Sequence, residues 1–413
     1  MLFPPPVPPK EPRRVVITAA GILTALGRGW NANATAFRAG KTAFRPSMHF
    51  DVSRQRVKTA AEIDLPENMP ATRLSARSHT RLDRAAKMLL IAAAEAWEQS
   101  GWDPSEDLPL ILGTTGGGMS LGEAFFRQAI REPISRRGQA ERAIYYQAHR
   151  QGLVLCEALG FSGPLTLIAN ACASGANAIG HAWEWVRTGR AERVLAGGYD
   201  AITQLVFAGF DSLQALSPTR CRPFDAGRDG LALGEGAAVL AIESLDHARR
   251  RNANILGEVC GYAAITDTYH LTQPQPEGKA AFATMRAACA QASVAIEDIG
   301  YINAHGTGTS YNDTAEALAI NEIAGSAAGR MPVSSTKACI GHLLGGAGAV
   351  ETVVCLMALH GQWLPPEPGI ETPDPICKFP IVREPKDAKL RFAMTNSFGF
   401  GGASASLILK GWQ

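Results

Sequence analysis

Short apolar runs recur along this chain, separated by glycine-rich turns and by stretches whose apolar residues return every three or four positions. The runs at 14–18 (RVVIT), 108–112, 165–168, 194–195 and 237–242 are rich in β-branched and aliphatic residues and read as buried strands. Helical periodicity lies between several of them, most clearly at 88–97. The 42 glycines cluster just after apolar runs, where a strand must turn into a helix. This alternation predicts an α/β layer structure with strands covered on both faces.

Taken in order, the strand ends repeat. The first half gives LPLILGTTGGG, LTLIANACASG, RVLAGGYDA and GEGAAVLAIE; the second gives IGYINAHGTGT, MPVSSTKACIGH, RFAMTNSFGFGG and ASASLILK. The pattern predicts two similar halves, 14–255 and 256–413, joined near Ile255 where HARRRNAN reads as a solvated connection. Residues 1–13, MLFPPPVPPKEPR, read as a loosely ordered proline-rich arm. That arm lacks the apolar core and small-residue end of a secretory signal.

Composition narrows the class. With 46% hydrophobic and 19% charged residues the chain is not intrinsically disordered. Forty basic against 38 acidic residues leave a net charge of +2, which calls for neither nucleic acid nor an anionic membrane as partner. The eight cysteines include no CxxC pair and sit mostly in apolar runs, so neither a metal site nor a disulfide framework is expected, and a cytoplasmic location is. The helical stretch at 88–97 contains Glu95 and is too short to span a membrane.

Three segments carry candidate chemistry. In NACASGANAIGHAWEWVRTG, Cys172 stands where a strand turns into a helix that Gly189 ends. Free amides and the dipole at a helix start favour a thiolate there, against the ordinary role of a small core residue that suits the other seven cysteines. NAHGTGTSYNDTAE places His305 at a strand end, followed by Thr307 and Thr309, whose hydroxyls suit a polar chain lying over the site. SSTKACIGHLLGGAGAVE supplies Lys337 and His342, then small residues that permit close helix packing. A lone histidine is usually structural; two on matching loops of a repeated fold, with a cysteine on a third, form a more specific constellation. GTTGGG at 113–118 lacks the Lys-Ser/Thr ending of a phosphate-binding loop. Arg77, Arg81, Arg84 and Lys87 at helical spacing, and the pair Arg136 and Arg137, read by default as solvated faces.

Over nearly its whole length, 14–410, the chain resembles the elongating β-ketoacyl-acyl-carrier-protein synthases, decarboxylating condensing enzymes with a thiolase-like fold. The resemblance rests on ACASGANAIG, RPFDAGRDGLALGEGAAVL, DTYHLTQPQPEG, AHGTGTSYND, STKACIGHLLGGAGAVE and NSFGFGG. It implies a five-layered α-β-α-β-α structure, an acyl group carried on Cys172, an enolate stabilised by His305 and His342, and an oxyanion hole from the amides of Cys172 and Phe400. It further implies that Lys337 is buried and paired with Glu351, with Asp313 and Glu316 as polar support. Thr307 and Thr309 would bind pantetheine, Phe398 and Phe400 would gate the acyl pocket, and Gly116, where many relatives carry a bulky aliphatic residue, would border it. Arg77, Arg81, Arg136 and Arg137 would steer an acidic acyl carrier protein. No metal or organic cofactor is implied, and the active unit would be a homodimer or a heterodimer with a related ketosynthase-like subunit. A silent chain-length partner, a non-decarboxylating thiolase and a Cys-His thioester hydrolase are the competing readings.

Overall fold

A computed structural model describes residues 11–135 and 137–412. Its core is an eleven-stranded sheet. Five strands come from the first half: β1 (Val15–Thr24), β2 (Leu110–Gly113), β3 (Leu165–Ile168), β4 (Arg193–Asp200) and β5 (Gly236–Ser244). Five come from the second: β6 (Gly257–Thr266), β7 (Ile299–Asn303), β8 (Val333–Ser334), β9 (Phe392–Phe398) and β10 (Ala403–Gly411). Gly27–Arg28 adds a short piece beside β1.

The repeat in the sequence is a repeat in topology. The first half runs β1-β5-β4-β2-β3 across the sheet and the second runs β6-β10-β9-β7-β8, the same order of first, fifth, fourth, second and third strand. In each half the fifth strand pairs antiparallel with its neighbours, and the second pairs parallel with the fourth and third. The halves meet where Val15–Ile17 pair with 257–259.

The helices supply the other layers. Helix α1 (Arg84–Ser100) packs on β1 and β5, and α5 (Lys279–Ala292) on β6 and β10. Between the two halves of the sheet lie α4 (Ser174–Arg187) and α7 (Ala347–Gly361), packed on each other. Helices α2 (Met119–Arg131) and α3 (Gln139–Tyr146) leave the first half at its surface, and α6 (Ser310–Ala324) follows β7. The layers are thus α-β-α-β-α.

Burial explains these elements. β1, β5 and β2 are buried at every position, which suits continuous aliphatic runs covered on both faces. Among the described residues one segment, Leu344–Gly361, is long and apolar enough to cross a membrane, and 89% of it is buried inside the protein. It is the core helix α7.

Several strands outrun their sequence signal. β1 continues through Gly21 to Thr24, and β4 through Gly197 and Gly198 to Asp200. These glycines are contact points rather than turns. A Cβ on Gly21 would lie 1.9 Å from the Ala92 carbonyl oxygen on α1, and one on Gly197 2.1 Å from that of Ala238 on β5.

Candidate active site

Cys172 lies in a tight turn, Ala171–Ala173, between β3 and α4. Ala171 holds a left-handed φ of 54°, which a residue with a side chain adopts only under constraint. Ser174 provides it, donating from Oγ to the Ala171 carbonyl at 2.6 Å and accepting from the Asn170 amide at 3.0 Å. The turn presents the sulfur to a cavity of about 350 Å³ that His305 and His342 also line.

Each histidine is placed through its backbone. Glu316 on α6 accepts the amides of His305 and Gly306, both at 2.8 Å. Asp313, one turn earlier, accepts the amides of Thr307 at 3.0 Å and Phe224 at 2.9 Å. His342 donates its amide to the Ala232 carbonyl at 2.7 Å and accepts from the Gly234 amide at 3.1 Å, so an extended segment of the first half clasps it.

Glycines then bring the two halves into contact. A Cβ on Gly175 would lie 2.7 Å from the Gly345 carbonyl oxygen, and one on Gly348 2.6 Å from the Ala176 amide nitrogen. α4 and α7 therefore approach backbone to backbone at their starts, and the turns preceding them meet. Cys172 Sγ is 2.8 Å from His342 Nε2, and the rings of His305 and His342 lie edge to face with centroids 5.3 Å apart.

Burial sets the charge state. It pushes the Cys172 thiol up to about 11, and the charge of Lys337 with the amides of Phe400 and Cys172 only partly counters it. Desolvation is the largest of these influences and works against the thiolate that the sequence predicts. Burial, reinforced by the Lys337 ammonium, holds both imidazoles well below the usual histidine value. These directions favour a thiol and two neutral rings near neutral pH. Neither Nδ1 has a hydrogen-bond partner among the described residues, and the one polar contact to either ring is that of His342 Nε2 with the Cys172 sulfur, where a thiol would make Nε2 the acceptor.

Lys337 is buried and ion-paired with Glu351, whose carboxyl burial pushes upward. Thr307 and Thr309 line the cavity with their hydroxyls 2.9 Å apart. Phe398 packs against His305 with ring centroids 5.9 Å apart, while Phe400, 40% exposed, stacks on Phe210 at 6.0 Å.

Residues 12–248 match the family described as β-ketoacyl synthase, N-terminal domain, and 256–371 match its C-terminal domain. The chain belongs to the β-ketoacyl synthase family. The 3-oxoacyl-[acyl-carrier-protein] synthase 2 of Coxiella burnetii is 36% identical over 419 residues, covering 97% of this chain and 99% of its own. Among solved structures, the ishigamide ketosynthase/chain length factor matches with a TM-score of 0.90 at 30% identity, over 97% of this chain and 100% of that one. A type II PKS acyl-carrier protein in complex with its ketosynthase matches with a TM-score of 0.87 at 25% identity, over the same shares.

Other candidate residues of this β-ketoacyl synthase lie outside this cavity. Gly116 does not line the cavity. Its amide and those of Thr115, Gly117 and Gly345 converge on the buried carboxylate of Asp200, at 2.6–3.3 Å. The glycine-rich loop is indeed an anion cradle, already filled by the protein's own side chain. Among the arginines expected to steer a carrier protein or to lie beside them on the same cationic stretch, Arg81 is paired with Glu141 and Arg84 is tied to buried Glu235. Arg136 lies outside the described residues. Asp200 and the lining residues Phe210, Leu213, Leu271 and Tyr311 escaped the sequence reading. For Asp200 a signal existed: an acid ending the apolar strand GGYD.

Proposed function

We propose that this β-ketoacyl synthase captures an acyl group on Cys172 and extends it with malonyl carrier in a decarboxylative Claisen condensation. In the first half-reaction the sulfur attacks the thioester of an acyl carrier while its proton passes through His342 Nε2 to the departing pantetheine sulfur. A neutral imidazole at 2.8 Å from a thiol of raised pKa suits this transfer.

Acylation removes the proton acceptor's task. With both Nδ1 atoms unbound, each ring is free to present Nε2–H to the cavity. Two such donors in a dry site stabilise the enolate that forms as malonyl carrier loses carbon dioxide, a contribution of about 3–4 kcal/mol for each well-placed donor. The enolate carbon then attacks the Cys172 thioester, and the amides of Cys172 and Phe400 receive the tetrahedral oxygen. Collapse breaks the C–S bond, the sulfur leaves as thiolate, and it takes up one proton from solvent. Lys337 and Glu351 set the charge around both rings; Asp313 and Glu316 hold the His305 loop. Thr307 and Thr309 take the pantetheine arm, and Phe400 gates entry. Carbon dioxide loss itself generates the nucleophile, so this cycle calls for no metal or organic cofactor.

The observation that carries the reading is a thiol between two histidines, neither of which is oriented by a carboxylate. A Cys-His hydrolase holds its base through a carboxylate or amide on the other ring nitrogen, and neither Nδ1 has any such partner among the described residues. A thiolase would need a second sulfur, and Cys172 is the one cysteine lining the cavity. Incubation with acyl and malonyl carriers, followed by mass measurement, tests this: a chain two carbons longer supports condensation and free acid refutes it.

For the assembly, α2 and α3 bury none of their side chains and leave Phe126, Ile130 and Ile144 exposed. An apolar face of this kind marks a protein interface. We assign it to a second subunit, a copy of this chain or a related ketosynthase-like chain, which sedimentation of the purified protein would distinguish. We place the enzyme in the cytoplasm, where its eight unbridged cysteines stay reduced.

A further inference from the structure

We propose that Cys172, His305 and His342 also form a binding site for a thiophilic divalent cation, Zn²⁺ in particular, which arrests the enzyme before it is acylated. The inference rests on the reading of Cys172 as acyl acceptor, and adds a ligand to that site. The sulfur and one nitrogen from each ring all lie within 4.8 Å of one another. Tetrahedral zinc with one thiolate and two imidazoles needs ligand atoms about 3.3–3.5 Å apart, from bond lengths of about 2.3 and 2.0 Å. Converting one arrangement to the other asks each contact to change by roughly an ångström, the scale of a side-chain rotation.

The donor set selects the ion. One sulfur and two imidazoles suit Zn²⁺ or Co²⁺; with no carboxylate or carbonyl oxygen among the three, hard cations such as Mg²⁺ and Ca²⁺ have nothing to prefer. The three ligand residues line one cavity of about 350 Å³, through which water could reach them. No chain-local motif announced this set, because the cysteine comes from one half of the fold and both histidines from the other.

The exchange balances without any redox partner. Zn²⁺ takes the place of the thiol proton, one S–Zn bond forms, and one proton leaves to solvent. Both ring Nδ1 atoms lack the hydrogen-bond partners that hold ligands rigid in dedicated zinc sites, so the ion binds reversibly. An acylated sulfur is a poor ligand. Acyl donor and metal therefore compete, and a loaded enzyme escapes the block.

The test titrates chelator-stripped, full-length protein with Co²⁺, followed by absorption, and with Zn²⁺, followed by equilibrium dialysis. One ion per chain is expected, with a thiolate-to-cobalt band that Cys172→Ser removes. His305→Ala and His342→Ala should each weaken binding by more than about 100-fold, beyond the roughly 10–100-fold that loss of an outer-shell contact costs. Zn²⁺ should slow alkylation of Cys172 by iodoacetamide, and prior acylation should abolish metal uptake. Absence of the band, unchanged binding by Cys172→Ser, or unprotected alkylation would each overturn the proposal. Condensation measured in excess chelator reports separately on the proposed function.

Discussion

The turn before α4 in the first half carries a nucleophile, whereas the matching turn before α7 in the second carries an imidazole. Around them the strand order and the glycine contacts correspond, and even the neighbouring loops are alike: the loop after β2 wraps the carboxylate of Asp200, and that after β7 is held by Glu316 and Asp313. The first loop is filled from within, whereas the second delivers His305 to the cavity. In the proposed mechanism one scaffold serves twice, once to attack and once to stabilise charge, and the chemistry needs the two copies in contact.

The sharpest way to break this division is His305→Ala. Condensation should fall by about 10²–10³, the effect of removing one directed donor, while intact-mass measurement still finds acyl-Cys172. Loss of acyl capture as well would mean that His305 serves the first half-reaction too.

A smaller effect is expected for Lys337→Met, which strands Glu351 in the core; chemical denaturation should show a loss of about 3 kcal/mol. Adding Glu351→Leu should restore most of it. If the double substitution is worse than the single, the pair is more than a buried charge balance.

The two loop carboxylates offer a direct comparison. Glu316→Ala leaves two backbone amides without an acceptor and should cost about 1–3 kcal/mol; Asp200→Ala leaves three, those of Thr115, Gly116 and Gly345, and should cost more. Equal melting temperatures for the two variants would contradict the ranking.

The smallest increment is in pH. With the thiol pushed up to about 11, alkylation of unloaded Cys172 should speed up about tenfold per pH unit from 7 to 10, because the thiolate fraction rises across that range. A plateau below pH 8 would point to a preformed thiolate-imidazolium pair.

Much of this was legible in the chain. Strand runs, the order of the repeat, Cys172 before a helix and both histidines in glycine-rich loops are local patterns with local causes. What escaped depends on distant partners. The continuation of β1 and β4 through glycine was hidden because those glycines answer to Ala92 and Ala238. The thiol state of Cys172 follows from burial contributed by the whole fold, and Asp200 could not be tied to GTTGGG without the sheet that joins them. Nor could the chain alone show that Gly116 has Asp200 for a neighbour, at 3.3 Å from where a Cβ would stand.

The most direct measurement of divided labour is carbon dioxide release from malonyl carrier by Cys172→Ala. The account predicts that release continues in this variant without any chain extension, and that it stops in the His305→Ala/His342→Ala double variant. Release that ends as completely without the sulfur as without the rings would contradict it.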